Sequence, residues 1–242
     1  MKLIRGTALF VGLLGVAGAT QAGVSSSWTL ASDYDFRGVT QSARDPALQA
    51  SLDYAHDSGW YIGAWGSNVD FGAGDPDVEV DLYTGFTKSL DSGLSYDFGG
   101  VYYTYHSAPT PGANYVELYA GLGYEDKSGM SIKGKFWHSP DFGGSSTPGN
   151  TPAEYIQADF SYPLPAGFSF DAHAGYSFGD YWSDADSEYF DYSIGIGYTA
   201  GKFSLAAKFI DGSDLADVPG TNVFDTRSKV VVTVATTFPW GE

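Results

Sequence analysis

The amino-acid sequence predicts an all-β fold: an antiparallel transmembrane β-barrel of about twelve strands, with short turns at one end and longer loops at the other. Two observations predict it. Runs of about ten residues alternate apolar and polar side chains, and glycine-containing turns recur at a nearly constant interval. Beyond the N-terminal segment no stretch is apolar for long enough to form a transmembrane helix. A membrane-spanning chain of this kind has to close its strands into a barrel.

The turns set the number of strands. Five short polar segments each contain a glycine that suits a tight turn, at positions 59, 93, 129, 167 and 201, so the intervals are 34, 36, 38 and 34 residues. A constant period indicates a repeated hairpin unit. Five tight turns join six hairpins, which gives the twelve strands.

Alternation assigns a face to each side chain. In the last strand Val230, Val232 and Val234 alternate with smaller or polar residues, and the valines are predicted to face lipid. The first strand is predicted to continue to Arg37, with Tyr34 and Phe36 outward and the polar residues between them inward. We predict three cross-strand pairs: Tyr124 with Met130, Tyr198 with Phe203, and Tyr54 with Tyr61, the last of which aligns Ala50 with Trp65.

Longer polar segments join the strands at the opposite end. Short turns on one side and long loops on the other are typical of outer-membrane barrels, in which the turns are periplasmic and the loops are outside. A soluble β-sandwich or a propeller is the alternative, but neither accounts for this asymmetry. The predicted loops are Val39–Ala47, Phe71–Pro76, His106–Asn114, Ser139–Thr151, Gly179–Glu188 and Asp211–Thr226.

The first 22 residues form a separate piece. Lys2 and Arg5 give it a positive start, an apolar run follows from Thr7 to Ala19, and Thr20-Gln21-Ala22 places small residues ahead of a cut before Gly23. This is the pattern of a secretory signal peptide. We therefore divide the chain into a signal peptide, 1–22, and an outer-membrane barrel domain, 23–242.

Composition narrows the partners. The chain has 12 basic and 29 acidic residues, and nucleic acid is excluded as a partner because neutralising phosphates needs a basic patch. It has no cysteine, which excludes disulfides and cysteine-based zinc sites. The expected partners are outer-membrane lipids and lipopolysaccharide, small solutes, and the barrel-insertion machinery, which would recognise Phe238 and Trp240. No cofactor is expected.

Three segments carry a family resemblance: Ser32–Ser42, Ala47–Tyr54 and Ser58–Val69. Over roughly residues 25–90 the sequence resembles the TorF-type family of porin-like proteins of Gram-negative bacteria, and the resemblance is looser afterwards. It implies an outer-membrane barrel that acts as a porin, without implying a particular solute.

The inward set of the predicted barrel gives the candidate site. It contains ten acids and four bases, and rings of charged side chains set the charge preference of a pore, so we expect passive diffusion of small cationic or neutral solutes. Alternatively these charges pair and plug the lumen, for example Glu117 with Lys135, and bulky inward side chains such as Tyr103 narrow it. The predicted pore-lining residues are Asp33, Asp35, Arg37, Gln49, Asp53, Asn68, Glu79, Asp81, Asp97, Glu117, Lys133, Lys135, Gln157, Asp159, Asp171, His173, Asp191 and Lys208.

Other functions find less support. His173 shares the inward face with Ser169 and Ser177, but residues four apart on a strand do not touch, so a histidine that lines the lumen is favoured over a catalytic one. We expect no enzyme activity and no metal site. Acids cluster in two loops and could bind a divalent cation, although solvated loops are the favoured interpretation: Asp180, Asp184, Asp186, Glu188, Asp211, Asp214, Asp217 and Asp225. A closed barrel with a structural or adhesive role remains an alternative to the pore.

Overall fold

The computed structural model describes residues 23–72, 75–106, 113–144, 151–183, 187–213 and 220–240, and over these residues the chain is a closed antiparallel barrel of twelve strands. The predicted signal peptide lies outside the described residues. The barrel strands are β1 (Gly23–Ala31), β4 (Ala47–Ala55), β5 (Trp60–Asn68), β6 (Val78–Ser89), β7 (Leu94–His106), β8 (Tyr115–Glu125), β9 (Ser131–Ser139), β10 (Ala153–Pro163), β11 (Phe168–Phe178), β12 (Tyr189–Ala200), β13 (Phe203–Ser213) and β14 (Lys229–Phe238).

Three short elements accompany the barrel. A two-stranded ribbon of β2 (Asp35–Phe36) and β3 (Val39–Thr40) forms its own small sheet. A 3₁₀ turn occupies Pro165–Gly167, and one turn of helix, α1, occupies Asp180–Ser183. In the part of the chain that the structure describes, no helix is both long and apolar enough to cross a membrane.

The predicted tight turns close the hairpins. All five turn glycines have positive φ, for example +101° at Gly59 and +89° at Gly93, a conformation that glycine adopts without steric cost. Each strand pairs with its neighbour in sequence, and β1 closes the ring against β14 through pairs such as Ser26 with Phe238. The described chain therefore enters and leaves the barrel at the turn end.

Alternation separates an apolar outer face from a polar inner face. In β12, Phe190, Tyr192 and Ile194 are exposed, whereas Asp191 and Ser193 between them are buried. The outward valines of β14 are exposed as predicted. Apolar side chains that face outward all round a closed sheet are what a lipid environment requires.

Two of the predicted registers are wrong by two residues and one is wrong by one. Tyr124 pairs with Ile132 and Tyr198 pairs with Leu205, and a shift of two keeps each side chain on its predicted face. Tyr54 pairs with Ile62, and Ala50 pairs with Gly66. This shift of one residue exchanges the inward and outward faces of β5.

The reversed strand changes which residues enter the lumen. Tyr61 is only 3% exposed and donates a hydrogen bond to Asp97 at 2.7 Å, whereas Ile62 is 46% exposed on the outer face. The outcome follows from the turn, in which His56 bonds to the carbonyl of Trp60 and leaves Ala55 opposite Tyr61. Trp65, predicted to face lipid, also lies inside.

The prediction that the first strand continues to Arg37 is wrong. β1 ends at Ala31, which pairs with Ala47, so residues 32–46 leave the sheet and fold into the barrel; we call residues 32–46 the lumen segment. Tyr34, predicted to face lipid, is 2% exposed and packs edge-on against Trp65, with ring centroids 5.3 Å apart. Phe36 faces Tyr103 inside the barrel. Polar and apolar residues alternate in this segment because Asp33 and Asp35 face Lys229, whereas Tyr34 and Phe36 face aromatic rings of the barrel wall.

Candidate functional site

The lumen segment reaches across the barrel and contacts the opposite wall through Arg37. The guanidinium donates two hydrogen bonds to Glu117 on β8, at 3.0 and 2.7 Å, and Tyr103 donates a third to the same carboxylate at 2.9 Å. The Arg37 and Glu117 side chains are 7% and 1% exposed. A bidentate pair of this kind fixes direction as well as distance.

Aromatic rings hold the same guanidinium from its faces. Its carbon lies 4.2 Å from the ring centroid of Tyr155 and 4.6 Å from that of Phe36, and Trp137 lies 5.7 Å away. Cation–π contacts are strengthened when the cation is desolvated. Arg37 is therefore fixed both by its carboxylate partner and by the rings around it.

A second anchor joins the start of the lumen segment to β14. The Lys229 ammonium lies 2.9 Å from Asp35 and 3.1 Å from Asp33, and its side chain is 5% exposed. Thr40 and Ser42 also donate hydrogen bonds to Asp33. Sequence reasoning missed Lys229, although it continues the inward series of Val231 and could have been found from that alternation.

A third anchor connects the lumen segment to the loop before β14. Arg44 lies 2.5 Å from Asp225, and Arg227 binds the same carboxylate. The Thr40 amide also donates to the Asp225 carbonyl at 3.1 Å. The hydrogen bonds from Arg227, followed by those from Arg44, hold the pKa of Asp225 well below its ordinary value.

One side of the lumen is filled by aromatic side chains. The cluster is held in place by close packing against strand glycines: a Cβ on Gly63 would lie 2.6 Å from the Tyr83 ring, and one on Gly175 would lie 1.9 Å from the Tyr155 hydroxyl oxygen. The buried members of the cluster are Tyr61, Tyr83, Val101, Tyr103, Tyr115, Tyr119, Trp137 and Tyr155. The wall formed by β5–β10 is therefore narrowed by rings.

The other side of the lumen contains a cavity of about 290 Å³. It extends from the lumen segment toward the turn end, mainly along β1, β4 and β10–β14. Carboxylates from Asp53, Asp159, Asp171 and Asp191 line it, together with Lys208. A small polar solute could therefore meet both charged groups and aromatic faces here.

Residues 16–238 match the family model of bacterial proteins of unknown function known as Gcw_chp. The chain belongs to this family. No curated protein matches its sequence. The match covers every strand of the barrel, and it leaves the resemblance to the TorF-type family a prediction.

Solved structures resemble the Gcw_chp barrel in fold. The KdgM porin in complex with disordered oligogalacturonate has 8% identity and a TM-score of 0.58, with 90% of this chain and 99% of that chain covered. The NanC porin has 9% identity and a TM-score of 0.56, with 89% and 98% covered. At such identities the likeness concerns the fold.

Most predicted pore-lining residues lie inside the barrel. Asn68 does not, because the one-residue shift in the register of β5 places it on the outer face. There it accepts a hydrogen bond from the Leu48 amide at 2.8 Å. The residues placed inside are Asp33, Asp35, Arg37, Gln49, Asp53, Glu79, Asp81, Asp97, Glu117, Lys133, Lys135, Gln157, Asp159, Asp171, His173, Asp191 and Lys208. That they line a conducting pore stays a prediction.

The expected ion pair between Glu117 and Lys135 does not form. Lys135 lies 2.9 Å from Asp97 on β7 and 4.3 Å from the ring centroid of Tyr119, while Glu117 binds Arg37. The prediction is wrong because the lumen segment, which was predicted as strand to Arg37 and as an outer loop from Val39, folds inward and brings Arg37 into contact with Glu117.

His173 is held by carboxylates rather than by a serine. Its Nδ1 lies 2.7 Å from Asp159 and its Nε2 lies 3.0 Å from Asp191, and Tyr155 bridges to the same Asp191 at 3.0 Å. Ser169 instead donates to Asp171 at 3.0 Å. Both ring nitrogens of the imidazole therefore face acids, and no hydrogen bond joins it to Ser169 or Ser177 in the described residues.

The acidic loops are only partly described. Glu188 accepts a hydrogen bond from Tyr176 at 2.7 Å and Asp211 accepts one from Tyr192 at 3.1 Å. Asp184, Asp186, Asp214 and Asp217 lie outside the described residues. Over the described residues, no group of three or more histidine, cysteine or acidic side chains is arranged to hold a metal ion.

Proposed function

We propose that this chain is a channel of the Gram-negative outer membrane that passes small cationic or neutral solutes by passive diffusion. Its apolar outer face and charged inner face support a barrel with lipid outside and water inside. The fold likeness to the KdgM and NanC porins supports a channel, without indicating the charge of its solute. Export would use residues 1–22 as a cleaved signal peptide.

The excess of acidic side chains in the lumen is the observation that supports cationic or neutral solutes. Two acids that face the cavity, Asp53 and Asp171, accept hydrogen bonds from hydroxyl groups and not from bases. Tyr83 and Ser51 donate to Asp53, and Ser161 and Ser169 donate to Asp171. The basic groups Arg37 and Lys229 are engaged with acids. A surplus of acids attracts cations and repels anions.

The lumen segment supports a limit on solute size. Because residues 32–46 lie inside the barrel and meet the aromatic wall, the free space is confined to the cavity on one side. A narrow passage would admit small solutes and exclude folded or branched ones.

Ion selectivity in a planar bilayer tests the proposal. The mature protein is refolded in detergent, inserted, and studied under a potassium chloride gradient, and the reversal potential is expected to have the sign of cation selectivity. Asp171→Asn should shift the reversal potential toward zero because it removes a cavity acid, whereas Asp126→Asn, at an exposed turn, should leave it unchanged. Anion selectivity of the wild-type channel would refute the solute class.

A closed structural or adhesive barrel is the second candidate. The three anchors of the lumen segment and the aromatic wall favour it, because together they occupy much of the interior. Single-channel current steps separate the two functions. A barrel that is inserted but silent, both as wild type and after Arg37→Ala, would favour the structural role.

The end of β14 supports a role in biogenesis. Phe238 and Trp240 stack with ring centroids 4.6 Å apart, and the Trp240 indole donates to Thr236 at 2.9 Å. An aromatic pair at the last strand suits recognition by the barrel-insertion machinery. Lipopolysaccharide is proposed as the lipid that surrounds the loop end of the barrel.

A further inference from the structure

Two carboxylates in the wall of the barrel have no cationic partner. Glu79 and Asp81 occupy successive inward positions of β6 and are 2% and 0% exposed. Both oxygens of Asp81 and the Oε2 atom of Glu79 lack a hydrogen-bond partner. Only Oε1 of Glu79 is satisfied, by the Tyr105 hydroxyl at 3.3 Å. Desolvated carboxylates without a counter-charge are strongly unfavourable.

The basic groups whose partners are known in this part of the lumen are engaged elsewhere. Arg37 is bound bidentately to Glu117, Lys135 to Asp97, and Lys229 to the acids of the lumen segment. In the described parts of the chain no lysine, arginine or histidine lies within ion-pair distance of Glu79 or Asp81. Among the described residues the pair therefore has no cationic partner.

A further oxygen faces the pair from the lumen segment. The Tyr34 hydroxyl is buried, lies close to both Glu79 and Asp81, and makes no hydrogen bond of normal geometry. It comes from the lumen segment and not from β6, so the hydroxyl and the two acids belong to two separate elements that face each other. Two buried carboxylates and a buried hydroxyl thus face one another, and most of their oxygen atoms lack a hydrogen-bond partner.

We propose that Glu79, Asp81 and Tyr34 form a binding site for a divalent hard cation, Ca²⁺, which joins β6 to the lumen segment. All ligands are oxygens, which suits Ca²⁺ and Mg²⁺ rather than softer metals. Two carboxylates balance a double positive charge. Ca²⁺ tolerates irregular coordination and bidentate carboxylates, whereas Mg²⁺ demands a near-ideal octahedron, so a site of two acids and one hydroxyl favours Ca²⁺.

This site goes beyond the proposed channel and does not depend on it. A cation held here would fix Tyr34, and with it the start of the lumen segment, against the aromatic wall. It would be a structural ion and not a transported solute, because the two carboxylates are buried and do not line the cavity.

Bound metal and sensitised luminescence test the site. Full-length protein is extracted from membranes in detergent, dialysed without chelator, and its calcium measured by mass spectrometry, with about one Ca²⁺ per chain expected. After removal of calcium with EGTA, added Tb³⁺ should luminesce when the Tyr34 and Trp65 rings are excited, because both lie beside the site. Asp81→Asn and Glu79→Gln should abolish both signals, and Asp171→Asn, an acid on the opposite wall, should retain them.

A shared proton is the competing explanation, and the same samples exclude or establish it. If the folded wild type contains no calcium and does not sensitise Tb³⁺, the proposal is overturned; a higher thermal midpoint of Asp81→Asn would then indicate that the pair shares a proton. Should Asp81→Asn fail to fold, the titration of the wild type with Tb³⁺ decides alone: saturation at one ion per chain supports the site, and absence of luminescence refutes it.

Discussion

Breaking the ion pair between Arg37 and Glu117 should release the lumen segment and widen the channel. Two charge-assisted hydrogen bonds, at 3.0 and 2.7 Å, join side chains that are almost wholly buried. Removing one partner leaves a buried charge unpaired, which costs about 3–5 kcal/mol. The segment can move toward water, so we expect the lower end of this range, about 3 kcal/mol, for Glu117→Gln and for Arg37→Met.

A double-mutant cycle isolates the pair. Because each single change already breaks the contact, the double variant should be destabilised by about 2 kcal/mol less than the sum of the two single variants. The free energy of unfolding is measured by urea titration of the refolded barrel, followed by tryptophan fluorescence, and single-channel conductance is measured on the same preparations. Conductance should rise in all three variants.

The reasoning fails if the single effects simply add. A coupling energy within about 0.5 kcal/mol of zero would show that the two side chains do not stabilise one another. Conductance equal to that of the wild type in every variant would show that the lumen segment does not limit flow. Glu117→Asp serves as a control, since it keeps the charge and should lose less stability than Glu117→Gln.

Four further predictions concern other parts of the barrel. Lys229→Met should destabilise the protein by about 3 kcal/mol and increase cation selectivity, because it leaves two buried acids unpaired. Asp225 has a lowered pKa, so its contribution should be complete above an unfolded-state pKa of about 3.9 and be lost as pH falls below that value; Asp225→Asn should flatten the acid side of the stability profile. Gly175→Ala should cost about 1–3 kcal/mol, because its Cβ would meet the Tyr155 hydroxyl at 1.9 Å. Ile194→Arg, on the outer face, should reduce folding into vesicles by about 2–4 kcal/mol.

Two of these predictions have a matched control variant, and all four have a contradicting result. Gly134→Ala, whose Cβ would have only one contact at 3.8 Å, should be nearly neutral, and equal losses at Gly134 and Gly175 would contradict the steric argument. Ile194→Leu should fold into vesicles like the wild type, and tolerance of arginine there would contradict contact with lipid. An unchanged acid profile in Asp225→Asn, or an unchanged reversal potential in Lys229→Met, would show that those ion pairs are not functional.

The sequence predicted the face of a side chain, inward or outward, more reliably than it predicted the side chain's cross-strand partner. Tyr124 and Tyr198 were placed on the correct face although both predicted partners were two residues away from the true ones, because a shift of two leaves the face unchanged. The predicted register of β5 was wrong by one residue, and this was enough to place Tyr61 inside the barrel and Ile62 outside. The conformation of the turn at His56 decided it, and glycine position alone does not specify that conformation.

The lumen segment shows why alternation misleads within a barrel. From Ser32 to Arg37 the residues alternate as in a strand, since a segment that packs between a polar wall and an aromatic wall obeys the same period as one that packs between water and lipid. Nothing local indicates that Arg37 meets Glu117, which is 80 residues away. Lys229, in contrast, could be predicted as inward from its own strand.

The sequence by itself determined the architecture: the twelve strands, the five tight turns, and which face of nearly every strand meets the apolar surroundings. It could do so because side-chain alternation and turn glycines are local properties that repeat in every hairpin. Only the tertiary structure decided what occupies the interior. The inward fold of residues 32–46, the three ion-pair anchors and the uncompensated pair of Glu79 and Asp81 depend on contacts between residues that closure of the barrel brings together. Such long-range pairing has no periodic signature in the sequence.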